Sequence, residues 1–301
     1  MIIINKFASE MASNTTDTAK GPMQINIDAV IDARLGKRAA YIPGWLRTRL
    51  KKIVCQDSLN AMLRECYPRR GAEFCRAVLD HLDISIDVLG LNRLPDPADT
   101  RVMYVCNHPL GGLDGMALID FVARRHGVEP LFVVNDLLMA VEPLTDVFVP
   151  VNKHGGQSRG AIEGIDSAMA GDRPVIIFPA GLCSRRRDGK ISDLEWQKMF
   201  IVKARESRRR IIPLRFDGHN SPRFYNYARL RERLGMKFNL EMILLPSEVF
   251  RARGKHFSIV CGAPVDPGTL TRPAREEATM MRSEVYNLKA PDNNQYEPEN
   301  N

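Results

Sequence analysis

Short apolar runs rich in Val and Ile alternate with helix-length segments over most of this chain. Residues 84–91, 102–106, 130–134, 147–151, 174–178, 211–216 and 257–261 read as strands. Between them, 116–125, 137–141, 158–170, 194–207 and 224–234 read as helices. Strands that are apolar on both faces need cover on both faces. The pattern therefore predicts an α/β fold with a mostly parallel central sheet flanked by helices. Ligands of such sheets gather at the carboxyl ends of strands. His108 and the stretch 179–184 follow two of those ends.

Upstream of the sheet the reading is helical. Residues 43–66 form one basic amphipathic helix, with Pro43 at its start and Leu46, Leu50, Ile53 and Val54 on its apolar stripe. Arg47, Arg49, Lys51 and Lys52 lie off that stripe, and Trp45 sits near the start. Such a helix packs on the main domain or lies on anionic lipid. A second helix covers 71–82. The expected organisation is a flexible terminus over 1–22, a helical segment over 23–83, a main domain over 84–265 and an extension over 266–301 that ends in disorder.

Charge and cysteine usage restrict the setting. Across 185–210 there are ten basic and four acidic residues, which holds nearly the whole net charge of +7. A field of that kind attracts phosphates, anionic lipid or an acidic protein. Nothing resembles a helix-turn-helix, a zinc finger or the aromatic-basic interleaving of nucleic-acid modules, so no nucleic acid is expected. The six cysteines form no Cys-x-x-Cys pair and read as reduced, buried residues of a cytoplasmic protein. The histidines have no metal-like spacing, and no metal is expected. No apolar run reaches the ~18–20 residues that span a bilayer. A lipid substrate would be met from the side, at the inner face of the cell membrane.

The sharpest chemical signal is Asn107-His108-Pro109-Leu110-Gly111-Gly112-Leu113-Asp114-Gly115. A histidine leaves a buried strand, glycines allow a tight turn, and an aspartate follows at a helix start, where amides and the helix dipole favour its charge. An ionised Asp114 that holds one imidazole nitrogen of His108 leaves the other free as a general base. With no protein nucleophile in the pattern, a substrate hydroxyl is the natural attacker and an activated acyl carbon the natural target. A thioester suits, since a thiol of pKa ~8.5 leaves readily as thiolate.

These residues resemble the His-(four residues)-Asp block of the PlsC-type glycerolipid acyltransferases. Three further blocks follow in that family's order. Residues 135–153, ending in Asn152-Lys153, resemble the second. Phe178-Pro179-Ala180-Gly181-Leu182-Cys183-Ser184-Arg185 resembles the third, and Ile211-Ile212-Pro213-Leu214 the fourth. The resemblance spans roughly 84–265 and implies a glycerol-phosphate acyltransferase-like fold. Departures are specific: five residues separate His108 from Asp114, Ala180 replaces a glutamate implicated in acceptor binding, and Cys183 replaces an arginine. They fit a hemolysin-like branch similar to the enzymes of ornithine- and glycine-lipid synthesis, whose acceptor is a lyso-amino-acid lipid with a free hydroxyl. A carboxylate at position 180 would repel such an acidic head group.

The resemblance implies His108 and Asp114 as the catalytic pair. It implies substrate contacts from Asn107, Gly111, Gly112, Lys153, Pro179, Gly181, Ser184, Arg185 and Arg186. Arg185, Arg186 or Arg187 would grip the acceptor carboxylate. Gly181 suits close backbone approach, with nearby amides available to an oxyanion. Lys198, Lys203, Arg205 and the run 208–210 would meet acyl carrier protein or anionic lipid, while Trp196 and Phe200 read as core. No cofactor is expected, with an acyl carrier protein or coenzyme A thioester as co-substrate. Other readings stay open: a 1-acylglycerol-3-phosphate acyltransferase that makes phosphatidic acid, a hydrolase that activates water, or a non-catalytic lipid-binding scaffold. A serine esterase is disfavoured because no Gly-x-Ser-x-Gly elbow is present.

Overall fold

A computed structural model describes residues 21–151, 159–236 and 240–289. The expected flexible ends, Lys153 and the expected start of the helix at Ser158 lie outside the described residues. Among the described residues four helices precede the sheet: α1 (Ile27–Leu35), α2 (Gly44–Val54), α3 (Gln56–Cys66) and α4 (Gly71–His81). The sheet is then built from β1 (Ser85–Leu89), β2 (Val102–Cys106), β3 (Leu131–Asn135), β4 (Phe148–Val151) and β5 (Val175–Ile177). Helices α5 (Leu113–His126) and α6 (Arg159–Ala170) connect these strands. A small hairpin, β6 (Arg185–Arg187) and β7 (Lys190–Ser192), precedes α7 (Met199–Ser207) and β8 (Arg210–Asp217). The chain continues through α8 (Pro222–Arg233), α9 (Leu245–Arg251), β9 (His256–Cys261) and α10 (Ala274–Asn287).

Among the described residues seven strands form one sheet in the order β1-β9-β8-β2-β5-β3-β4. All pairings are parallel except β8 with β9, so β1 and β9 run against the other five. This is the mostly parallel α/β sheet that the alternation predicts. Its two faces are legible in β2, which is buried along its whole length. Val102, Tyr104 and Cys106 join one apolar core with α4 and α5. Met103 and Val105 join the other with α6, α7 and α10. β-Branched and aromatic residues at alternating positions supply both layers.

Three expectations need correction. The single helix over 43–66 is two, because Cys55 adopts a left-handed conformation (φ 56°) that ends α2 and starts α3. The helix expected from residue 194 starts at Met199; the stretch before it is irregular, with Asp193 and Trp196 buried. Arg209, expected at a docking surface, is completely buried. Its guanidinium donates to the carbonyls of Ala168, Met169, Gly171, Arg173 and Val102, which ties the end of α6 to the first strands of the sheet. Burial pushes its pKa down to about 10. Other cations of the run are held in ion pairs at the surface: Arg210 pairs with Asp99, and Lys203 with Asp166 and Glu206.

Candidate active site

β2 and β5 are neighbours and parallel, so their carboxyl ends deliver two loops to the same edge of the sheet. The β2 loop carries His108, and the β5 loop carries Phe178 and Pro179. The imidazole stacks on the Phe178 ring, with centroids 4.1 Å apart and planes 20° from parallel. Gly111 turns with φ 81°, and a side chain there would press on Leu245 and Cys183 at about 3.0 and 3.2 Å. Only glycine fits both the backbone and the space. The turn brings Asp114 back under His108 in the first turn of α5.

His108 Nδ1 lies 2.9 Å from Asp114 Oδ2. That oxygen also accepts from the amides of Leu110 (2.8 Å) and Gly111 (3.3 Å), while Oδ1 accepts from Gly112 and Gly115. A carboxylate that receives so many N–H donors is the ionised form. Nδ1 therefore donates to it, and Nε2 carries the lone pair. Nε2 makes no hydrogen bond among the described residues, and 16% of the His108 side chain is exposed against none of Asp114. The extra residue between the two is absorbed without parting the pair.

Burial pushes the Asp114 carboxyl up, but the charge and hydrogen bond of His108 and the amides of Leu110 and Gly111 outweigh it, and its pKa sits below the ordinary value. A carboxyl depressed in this way stabilises the fold above its unfolded pKa of ~3.9 and loses that contribution as pH falls through the lower folded value. Acid unfolding followed by circular dichroism should therefore be steeper below ~pH 4 in the wild type than in Asp114→Asn. Parallel curves for the two would contradict this role.

Several residues expected to contact substrate also brace the fold. Asn107 is buried and clamps β2 to β8 through both the N–H and the carbonyl of Phe216, at 2.7 and 2.9 Å. Ser184 is buried: its amide donates to the His108 carbonyl (2.7 Å) and its hydroxyl to Asp193 (2.6 Å). Pro179 is buried, with its carbonyl taken by the amide of Gln197. The Gly181 amide closes a turn onto the Phe178 carbonyl at 3.0 Å. Arg185, expected on the acceptor, faces inward. It donates to Glu241 (2.8 Å) and to the Cys183 carbonyl (2.7 Å), and lies over the Phe224 ring. Glu241 is itself buried, so this pair is committed to the interior. Arg186 remains half-buried beside Tyr225 and Asn226, and its buried Nε has no partner among the described residues. Gly111, Gly112, Gly181 and the imidazole keep exposed surface.

One residue at the site escapes sequence reasoning. Asp193, which reads only as an acid interrupting the basic run, is buried beneath the dyad. Its carboxylate accepts from the His108 amide (3.1 Å), the Ser184 hydroxyl (2.6 Å) and Trp196 Nε1 (2.9 Å). From α10, the Tyr286 hydroxyl accepts the Asp193 amide, and Arg282 donates to its carbonyl. Trp196 and Ser184 lie nearby, but His108, Arg282 and Tyr286, which make Asp193 a hub, are distant in the sequence.

Known proteins bear on what this arrangement does. The family model described as Acyltransferase matches residues 29–294. The lyso-glycine lipid O-acyltransferase of Phocaeicola vulgatus is 38% identical over 266 residues, covering 88% of this chain and 95% of that protein. The protein of that name from Bacteroides thetaiotaomicron is also 38% identical over 266 residues, covering 88% of this chain and 97% of its own length. Among solved structures, the 1-acyl-sn-glycerophosphate acyltransferase PlsC of Thermotoga maritima aligns over 82% of this chain and 95% of its own, with 16% identity and a TM-score of 0.41. With a family match of that extent and relatives at that identity, the chain belongs to the acyltransferase family.

Proposed function

We propose that this enzyme moves a fatty acyl group from an acyl thioester to the hydroxyl of a lyso-glycine lipid, at the inner surface of the cell membrane. The observation that carries the reading is the free Nε2 of an imidazole whose other nitrogen is held 2.9 Å from a buried carboxylate. The relatives supply the acceptor class, since both carry lyso-glycine lipid in their names.

In the proposed reaction the acceptor hydroxyl gives its proton to His108 Nε2 as its oxygen attacks the thioester carbonyl carbon. Asp114 stabilises the imidazolium that forms. The tetrahedral intermediate then breaks its carbon–sulfur bond and expels the thiolate of the carrier protein or coenzyme A. The proton on Nε2 passes to that sulfur, and the base is restored. The half-buried guanidinium of Arg186, with its unpartnered Nε, makes it our candidate for the acceptor carboxylate. Among the described residues no helix is long and apolar enough to cross a membrane, and we propose peripheral attachment.

The phosphatidic-acid reading would draw on Lys153 and Arg185 to bind the acceptor phosphate. Arg185 is spent on Glu241 and Cys183, which weighs against it. The test is direct: purified protein is offered acyl carrier thioester, or acyl coenzyme A, with lyso-glycine lipid and with 1-acylglycerol-3-phosphate in separate reactions. The expected result is a diacyl glycine lipid as product. Consumption of the phosphate acceptor alone would overturn the assignment.

A further inference from the structure

Helix α8 is apolar on two sides. Ala228 is buried, and Phe224 and Tyr225 join the small core that contains Cys183 and Leu244, next to the catalytic turn. The other side carries Tyr227 and Leu230 along the helix and Leu234 at its C-cap, which are 48%, 53% and 64% exposed. Together with Arg223 they fall at i, i+4, i+7 and i+11, a single outward stripe. A surface helix ordinarily turns polar residues to that side. The helix holds four arginines and one glutamate, and Arg231 is tied to Glu232 and Glu241, which leaves Arg223, Arg229 and Arg233 around the stripe.

The stripe continues onto α2. Arg223 lies over the Tyr227 ring and also lines an open cleft of about 760 Å³. Across that cleft stand Trp45, which is 68% exposed, and Arg49 and Lys52, which have no acidic partner among the described residues. Arg251 and Phe250 of α9 form its third side. Large amphipathic rings and aliphatic tips ringed by arginine and lysine match a bilayer interface, where the apolar parts enter the acyl boundary and the cations meet lipid phosphates. A second copy of the chain fits poorly, because pairing α8 with α8 would bring like-charged arginine borders together.

The face is also joined to the dyad. Asn220, just before α8, donates to the carbonyls of Pro109 and Leu110 in the His108–Asp114 turn, both at 3.3 Å. Ser221, the N-cap, is bound through its amide (2.6 Å) and hydroxyl (2.7 Å) to Glu248 of α9. From these contacts we infer that the outward stripe of α8, with Trp45 of α2, is the surface by which this enzyme docks on an anionic membrane and brings the catalytic turn to its lipid acceptor. The inference rests on the lipid acceptor proposed above.

The test uses the full chain with vesicles of phosphatidylcholine and of phosphatidylcholine mixed with phosphatidylglycerol. The wild type should co-sediment with the mixed vesicles, and added salt should weaken binding. The combined variant Tyr227→Ser, Leu230→Ser, Leu234→Ser should bind at least about tenfold more weakly. Its rate on detergent-dispersed acceptor should stay near the wild-type rate, since none of these side chains belongs to the site. A second variant, Arg223→Glu with Arg229→Glu, should lose the preference for anionic vesicles. The docking surface is overturned if the first variant binds vesicles as the wild type does, or if the wild type does not bind them. It is also overturned if light scattering shows a wild-type dimer that this variant splits, because the stripe would then be a subunit contact. Failure of the acyl transfer itself would show separately, as no product from detergent-dispersed acceptor in any variant.

Discussion

Replacement of His108 by alanine is expected to lower acyl transfer by about 10²–10⁴-fold, the usual worth of a positioned general base. The acceptor hydroxyl would have to lose its proton to water, and Asp114 would have no imidazole to orient. Folding should survive, because the Asp114 carboxylate keeps its amide donors from Leu110, Gly111, Gly112 and Gly115. What the fold loses is the stacking on Phe178, worth ~0.5–1.5 kcal/mol for a ring pair. Steady-state rates on lyso-glycine lipid, measured beside a thermal melt, separate the two effects. Activity close to that of the wild type in a well-folded His108→Ala protein would remove the imidazole from the mechanism. It would favour the non-catalytic scaffold reading.

The sequence is most readable where a signal is local. The central strands of the main sheet announce themselves as short apolar runs, because a strand buried on both faces must be apolar throughout. His108 and Asp114 are close enough in sequence that a glycine turn and a helix start define their meeting. The break at Cys55 carries no glycine or proline, so the stripe of α2 and α3 reads as one helix. The β6–β7 hairpin had a usable signal in Asp188-Gly189, both at positive φ, as a two-residue turn requires; it was obscured by the surrounding charges. Arginines are the least legible. The charge pattern cannot separate Arg209, spent on buried carbonyls, or Arg185, spent on Glu241, from a solvated cation. Those fates are set by partners far along the chain.

Asp193 is the strongest case of that kind, and Asp193→Ala should be the most destabilising single change at the site. The carboxylate satisfies three donors: the His108 amide and the Trp196 indole N–H, which have no other acceptor among the described residues, and the Ser184 hydroxyl, which also reaches the His108 carbonyl at 3.3 Å. An orphaned buried donor costs ~1–3 kcal/mol. Three that share one carboxylate are not additive, and a total of about 3–5 kcal/mol is expected. That is a large part of the ~5–15 kcal/mol by which proteins are stable. The urea midpoint should fall accordingly, at an unchanged slope. Asp193→Asn should fall in between, because an amide keeps one accepting oxygen but turns its NH2 group toward a donor. At a temperature where both variants stay folded, turnover should drop through loss of the His108 main-chain anchor while the pH profile keeps its shape, because the base itself is intact. A midpoint for Asp193→Ala equal to that of the wild type would mean that the loop of His108 is held by the α10 contacts from Tyr286 and Arg282 rather than by this carboxylate.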